Sequence, residues 1–120
     1  MVLVDTSIWV SHFRKTDARL QELLLEGSVI CHSLTIGELA CGNLGNRKEI
    51  LSLLQTLPKA LTVDDGEVLP FIEHNRLMGK GIGLVDVHLL ASVLLSKASL
   101  WTSDKSLRRV CDELGVLFAA

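Results

Sequence analysis

The fold is decided at the start of the chain, by the stretch Met1-Val2-Leu3-Val4-Asp5-Thr6-Ser7-Ile8-Trp9-Val10. Positions 2–4 form a short, continuous, branched apolar run, which is typical of a strand buried on both faces of a parallel sheet. The run stops at the carboxylate of Asp5, and the apolar residues that follow predict a short helix over Ile8–Phe13. Because the chain opens as strand, acid and helix, the next question is which other acids reach the same edge of the sheet.

Predicted strands and helices alternate along the whole chain. The strands are expected at Val2–Val4, Ser28–Cys31, Ala60–Val63, Ser99–Thr102 and Val116–Phe118. The helices are expected at Ile8–Phe13, Asp17–Glu26, Thr35–Cys41, Arg47–Leu57, Glu67–Met78, Val85–Lys97 and Lys105–Leu114. This order predicts an α/β fold, a three-layer α/β/α sandwich with a mostly parallel central sheet of about five strands. The length of 120 residues fits a single domain over residues 1–120.

Composition argues against several classes of protein. Although 48% of the residues are hydrophobic, no apolar run approaches the roughly 18–20 residues that a membrane span needs. The acid at position 5 and the lack of a basic segment before it argue against a signal peptide. Cys31, Cys41 and Cys111 show no metal-ligand spacing, so a zinc site is not expected. Three free thiols suit the reducing cytoplasm, and no membrane partner is expected.

The net charge of the chain does not indicate nucleic-acid binding. The net charge is −2, whereas proteins that bind nucleic acids usually carry a basic excess. A polyanionic partner would therefore need a bound metal or a local basic patch. Candidate RNA-contacting cations flank the first and last motifs: Arg14, Lys15, Lys105, Arg108 and Arg109. They predict a phosphate-binding rim, and the alternative is a solvated charged face.

Four acids are expected at one edge of the sheet. Asp5 ends the first strand, Asp104 follows the fourth, Asp86 lies at the entry of the buried helix, and Glu38 lies in the first turn of its helix. Ligands bind at the edge where the carboxyl ends of parallel strands meet the amino ends of helices. Carboxylates gathered there repel one another unless a divalent cation binds or their pKa values rise. Oxygen ligands suit Mg²⁺ or Mn²⁺, and such sites commonly serve phosphate chemistry.

Helix capping is the competing interpretation of these acids. Thr35-x-x-Glu38 has the pattern of a capping box, and Asp86 and Asp104 stand where they could cap their helices. Capping explains Asp5 less easily, because Asp5 follows a buried strand. Asp64 and Asp65 also follow a predicted strand, so spacing alone does not separate them from the four acids.

Hydroxyl residues accompany the acids at the same edge. Thr6 and Ser7 follow Asp5, and Thr102 ends the fourth predicted strand. We expect these hydroxyls to hydrogen-bond the carboxylates and hold them in place. The alternative is that they cap helices or fill turns.

Four blocks of the sequence resemble the signature blocks of PIN domains, above all those of the VapC-type toxins of bacterial and archaeal toxin–antitoxin pairs. They are Val2–Ser7 followed by Trp9, then Ser33–Leu39, Asp86–Ser92 and Leu100–Leu107. Each block alone is a weak signal. Together they occur in order over nearly the whole chain, which is a strong one.

The resemblance implies a metal-dependent endoribonuclease. Asp5, Glu38, Asp86 and Asp104 match the acidic quartet of the family and would hold Mg²⁺ or Mn²⁺, and Thr6 and Thr102 match its hydroxyl positions. It also implies an RNA substrate, a homodimer, and inhibition by a cognate small DNA-binding antitoxin whose C-terminal segment lies over the active site. One departure bears on a second metal ion: Ser106 stands where many relatives carry a further acid.

Rival interpretations come from other protein classes. A receiver-like phosphoacceptor domain has this length and architecture, with its acceptor where Asp64 or Asp65 stands, but it normally needs two acids after the first strand. A haloacid-dehalogenase-type phosphatase needs a second Asp at the place of Ser7. A non-catalytic PIN-like partner protein is the third rival, and the intact quartet argues against it.

Overall fold

A three-stranded parallel sheet forms the centre of the protein, whose computed structural model describes residues 1–120. The strands are β1 (Val2–Val4), β2 (Val29–Ile30) and β3 (Ser99–Trp101), in the order β2-β1-β3. Leu3 pairs with Ile30 on one side and with Leu100 on the other. The first strand of the chain is thus the central one, which places Asp5 in the middle of the carboxyl edge of the sheet.

Seven helices surround the sheet. They are α1 (Thr6–Arg14), α2 (Ala18–Leu25), α3 (Ser33–Cys41), α4 (Arg47–Thr56), α5 (Asp65–Asn75), α6 (Leu84–Ser96) and α7 (Lys105–Glu113). The helix that departs most from its predicted bounds is α5, because Arg76 adopts a left-handed conformation and ends it at Asn75. None of the seven combines the length and the apolar character that a membrane crossing requires.

The sheet separates two hydrophobic cores. Side chains alternate between the faces of a strand, so Leu3 packs with α6 and α7, whereas Val2 and Val4 pack with α1, α2 and α4. On the α6 side Leu89, Leu90 and Val93 are fully buried, while Leu94 and Leu95 near the end of α6 are exposed. The helices therefore cover both faces of the sheet, and the predicted three-layer α/β/α sandwich is confirmed.

The predicted count of about five strands is wrong, because Ala60–Val63 does not form a strand. Only the preceding Lys59 bridges to Cys31. The N–H of Leu61 donates instead to Ser96 Oγ at 3.1 Å, and the Leu61 side chain is 60% exposed. The chain thus touches the sheet edge at one residue and then leaves it, which an apolar, β-branched sequence pattern does not reveal.

The predicted edge strand Val116–Phe118 is reduced in the same way. A single bridge joins Leu117 to Leu100. The N–H of Leu100 donates to the Val116 carbonyl at 2.8 Å, and the N–H of Phe118 donates to the Leu100 carbonyl at 3.0 Å. The sheet is therefore three strands wide, with one bridging residue beyond each edge strand.

Truncating Leu3 to alanine is expected to lower the free energy of unfolding by about 2–5 kcal/mol, because the central strand would lose a fully buried side chain. Denaturant unfolding measures the change. Leu53→Ala is the matched control: Leu53 is 59% exposed, so its truncation should stay within about 0.5 kcal/mol. Equal effects of the two substitutions would contradict the assigned core.

Candidate active site

Asp5 is a buried carboxylate at the carboxyl end of β1. Its side chain is only 8% exposed, so it needs donors within the protein. Oδ1 accepts a hydrogen bond from the Thr6 N–H at 2.8 Å, and Oδ2 accepts from Ser7 Oγ at 3.0 Å and Thr102 Oγ1 at 2.7 Å. Asp5 is also the N-cap residue of α1, so capping explains part of its placement, contrary to expectation. The hydrogen bonds from the Ser7 and Thr102 hydroxyls are additional to those that an N-cap makes.

Two threonines connect Asp5 to two of the other predicted acids, and Thr6 binds Asp5 through its N–H whereas Thr102 does so through its hydroxyl. Thr6 Oγ1 donates to Glu38 Oε1 at 2.7 Å. On the other side, Thr102 Oγ1 accepts from the Asp104 N–H at 3.1 Å while it donates to Asp5. A chain of hydrogen-bonded groups thus runs from Glu38 through Asp5 to Asp104, although α3, β1 and α7 are far apart in sequence.

Glu38 does not belong to a capping box. The N-cap residue of α3 is His32, whose Nδ1 accepts from the Leu34 N–H at 3.0 Å. Burial, and then the neighbouring His88, lower the pKa of His32, which favours the neutral ring that this cap requires. Thr35 lies buried inside α3 and its hydroxyl has no partner. The predicted Thr35–Glu38 box is therefore wrong, and the Glu38 carboxylate is engaged by Thr6.

Asp86 lies in the first turn of α6, with Oδ2 accepting from the Gly83 N–H at 3.1 Å. Burial raises the pKa of Asp86. The Gly83 N–H opposes that rise, and the negative charges of Asp5, Asp104 and Glu38 add to it. The other three predicted acids are therefore near enough to Asp86 to act on it electrostatically.

Asp104 is the N-cap residue of α7, because Oδ2 accepts from the Leu107 N–H at 2.9 Å. The capping interpretation is thus correct for Asp104. Its other oxygen, Oδ1, accepts no hydrogen bond from the protein, and neither do Glu38 Oε2 and Asp86 Oδ1. Three carboxylate oxygens at this edge are therefore free to bind another group.

The donor chemistry of this edge fits a hard divalent cation. Carboxylate oxygens are the ligands that Mg²⁺ and Mn²⁺ prefer. Burial, and then the charges of Asp5 and Asp86, raise the pKa of Cys111 to about 12, so its thiol stays protonated at neutral pH and supplies no competing thiolate. No three Asp, Glu, His or Cys side chains stand close enough to form a finished ligand cluster, so binding requires the acids to turn their free oxygens toward a shared point.

The five predicted cations are all exposed. None forms an ion pair, since the two ion pairs of the structure are Arg19–Glu22 and Lys80–Glu113. Arg14 lines a pocket together with Glu38, and Arg108 Nη1 donates to the Thr102 carbonyl at 3.3 Å. The structure therefore brings these two arginines to the acids, and it shows no such contact for Lys15, Lys105 or Arg109.

Sequence reasoning missed the pocket that adjoins Glu38. It has a volume of about 470 Å³ and is lined by Thr6, Arg14, Glu38 and the loop after α3, residues 42–45. The available signal was the composition of that loop, which has two glycine–asparagine pairs, Gly42-Asn43 and Gly45-Asn46, directly after the helix that carries Glu38. A larger cavity of about 700 Å³ between α5 and α6 contains none of the four acids.

Asp64 and Asp65 do not lie at the end of a strand. Asp64 is the N-cap residue of α5 and its N–H donates to Glu67 Oε1 at 3.0 Å. Both acids are exposed, and the strand predicted before them is absent. Neither Asp64 nor Asp65 therefore occupies the strand-end position that the phosphoacceptor of a receiver-like domain would need.

Comparisons with known proteins agree with this geometry. The family model described as PIN domain matches residues 2–113. Ribonuclease VapC32 of Mycobacterium tuberculosis, in strains H37Rv and CDC 1551, is 48% identical over 120 residues, covering 99% of this chain and 97% of the relative. The crystal structure of PAE2754 from Pyrobaculum aerophilum superposes with a TM-score of 0.60 at 19% identity, over 91% of this chain and 78% of that one, and so shares the fold. The chain therefore belongs to the PIN-domain family, as a VapC-type ribonuclease.

Proposed function

We propose that this protein is a Mg²⁺- or Mn²⁺-dependent endoribonuclease that acts as the toxin of a toxin–antitoxin pair. The observation that supports the site is the hydrogen-bonded connection of Glu38, Asp5 and Asp104 through Thr6 and Thr102, with the charge of each acid acting on Asp86. The name of the VapC32 relative, a ribonuclease, supports RNA as the substrate.

In this proposal Asp5, Asp86 and Asp104 would hold the divalent ion, and Glu38 would complete its ligand set or orient a water molecule. When bound, the ion lowers the pKa of water and stabilises charge on the phosphate. Asp5 is fixed by three donors, so its position is set before substrate arrives. Thr102 and Thr6 are positioning residues, because each hydrogen-bonds an acid and thereby limits its rotation.

The unpaired arginine and lysine side chains supply the positive charge that binding an anionic RNA requires. Four carboxylates on a protein of net charge −2 repel RNA. Arg14 beside Glu38 and Arg108 beside Thr102 flank the acids on two sides, and neither is neutralised by an ion pair. We propose that they bind phosphates on either side of the reacting one, with Lys15, Lys105 and Arg109 adding longer-range attraction.

The proposal also includes two protein partners, an antitoxin and a second copy of this chain. A cognate DNA-binding antitoxin would inhibit the enzyme, and the enzyme would act as a homodimer, one PIN domain per chain, in the cytoplasm. An apolar groove of about 350 Å³, lined by Trp9, Phe13 and Ile50 among others, is the kind of surface that an amphipathic segment of an antitoxin covers. Light scattering of the purified protein, alone and with its antitoxin, measures both associations.

Asp5→Asn is expected to reduce Mn²⁺-dependent RNA cleavage by at least about 100-fold, because it removes a negative ligand while an oxygen remains to accept from Thr6. The assay is cleavage of total RNA, with circular dichroism to confirm folding. Asp65→Asn is the matched control, since Asp65 is exposed at the start of α5, and it should cleave like the wild type. Wild-type activity of Asp5→Asn would reject the site.

Asp86→Asn is expected to raise the melting temperature in EDTA by a few degrees at neutral pH. A carboxyl group whose pKa is raised by folding favours its protonated form, so the folded state loses stability as the pH rises through that pKa. The amide carries no charge and can still accept from Gly83. The gain should shrink as the pH falls toward the ordinary Asp value of 3.8.

Thermal unfolding against pH measures this effect, with Asp112→Asn, an exposed acid on α7, as the control. Adding Mn²⁺ should stabilise the wild type more than Asp86→Asn, because only the wild type keeps the full set of negative ligands. A lower melting temperature for Asp86→Asn in EDTA would contradict the destabilisation that burial and the neighbouring charges impose on the ionised Asp86 carboxylate.

Thr102→Val is expected to lower cleavage and Mn²⁺ affinity by about 10–100-fold, because valine keeps the shape of threonine but loses the contacts to Asp5 and to the Asp104 N–H. Titration of activity against Mn²⁺ separates weaker metal binding from a damaged fold. Thr102→Ser keeps the hydroxyl and should recover most of the loss. Equal behaviour of the valine and serine variants would show that the hydroxyl does not position the acids.

A further inference from the structure

The pocket beside Glu38 opens directly onto the acidic edge. Thr6, Val10 and Arg14 line one side of it and recur every fourth residue, so they share one face of α1. Glu38 and Leu39 of α3 line the opposite side. The hydrogen bond from Thr6 to Glu38 joins the two sides at 2.7 Å. A ligand in this pocket therefore lies next to two residues of the candidate active site.

The walls of the pocket combine an apolar surface with a polar rim. Val10, Phe13, Leu39 and Leu44 supply the apolar part. The Phe13 ring stacks on Trp9 with centroids 5.9 Å apart and an interplanar angle of 24°, which holds the ring in place. The polar rim includes Arg14 and the amide of Asn43, both exposed. This is the mixture that a flat heterocycle attached to a charged backbone requires.

The loop after α3 adds backbone donors to the rim. The N–H groups of Asn43, Leu44 and Gly45 donate to no acceptor within the chain. The loop is nevertheless anchored, because the Gly42 N–H donates to the Leu39 carbonyl at 3.1 Å and the Gly42 carbonyl accepts from Arg47 Nη1 at 3.2 Å. Consecutive unpaired donors on an anchored loop are suited to the acceptor atoms of a base edge or to a phosphate.

We propose that this pocket binds one nucleotide of the RNA substrate, adjacent to the phosphate that is cleaved, and so contributes base selectivity. The base would lie against the apolar wall, with its edge facing Asn43 and the free N–H groups of the loop, and Arg14 would bind the adjoining phosphate. The volume of about 470 Å³ lies within the usual range for small-ligand sites. The inference rests on the proposed ribonuclease activity, because the shared residues Thr6 and Glu38 link the pocket to cleavage.

Sequencing of cleaved ends from a random-sequence oligoribonucleotide pool tests the proposal. With Mn²⁺, the wild type should show a base preference at one nucleotide beside the cleaved bond, and Asn43→Ala should weaken that preference by at least about tenfold. Gln55→Ala is the control, because it removes an exposed amide from α4 outside the pocket, and it should keep the preference. Arg14→Gln should slow cleavage of all sequences and lessen its salt dependence.

A second measurement does not depend on cleavage. The backbone amide signals of Asn43, Leu44 and Gly45 in the NMR spectrum of the wild type should shift when a short oligoribonucleotide is added in EDTA, where no divalent ion supports cleavage, and the signal of Gln55 should not. If the wild type cleaves no RNA but these amides shift, the ribonuclease proposal fails while the nucleotide site stands.

Three results would overturn the pocket assignment. One is cleavage without any base preference next to the bond, and another is an Asn43→Ala preference equal to that of Gln55→Ala. The third is the absence of shifts in these backbone amide signals. If Asn43→Ala also loses inhibition by a protein partner, the pocket is a peptide site.

Discussion

The burial of the Asp5 carboxylate at the end of the central strand is the constraint on which the rest of the site depends. β1 lies between two parallel neighbours, and the Asp5 N–H is tied to the Trp101 carbonyl at 2.9 Å. A carboxylate withdrawn from water at this point must find donors nearby. It finds them at the start of α1 and at the end of β3, in Thr6, Ser7 and Thr102. The first and last parts of the fold are thereby fixed to one pair of oxygen atoms.

The positions of the other acids depend on the position of the Asp5 carboxylate. Thr6 and Thr102 each contact Asp5 and a second acid, so they set its relation to Glu38 and Asp104. Asp86 lies on the buried helix α6, where burial, and to a smaller extent the charges of the other acids, raise its pKa. Placing like charges together lowers stability, and active sites commonly accept such a loss because ligand binding relieves it.

Much of this arrangement could be predicted from sequence. Short apolar runs located the three strands, since Val2–Val4 and its neighbours are buried on both faces. The rule that strand ends and helix starts share an edge applies to Asp5, Asp86 and Asp104. The prediction that Glu38 lies in the first turn of its helix is wrong, because α3 begins at Ser33, and Glu38 reaches the same edge through its hydrogen bond with Thr6. Ala60–Val63 has an equally suitable composition, but a strand also needs a partner edge, and after the single bridge from Lys59 to Cys31 the Leu61 N–H donates to Ser96 instead.

The remaining errors also arose from contacts that local patterns do not show. The capping box predicted at Thr35–Glu38 does not form, because the buried ring of His32, one turn earlier, caps the helix instead. The pocket beside Glu38 is formed by residues of α1, α3 and the following loop, and no single segment carries its signature. Interactions between distant segments therefore decided the missing strand and the pocket, whereas the cap of α3 depends on a local contact of His32.

The most direct test of the shared acidic site is a crystal structure of the protein with Mn²⁺, in which anomalous scattering locates the ion. We expect an anomalous peak within coordinating distance of Asp5 and of at least two of Glu38, Asp86 and Asp104. No peak there at saturating Mn²⁺, or a peak only on unrelated acids such as Asp64 and Asp65, would contradict it.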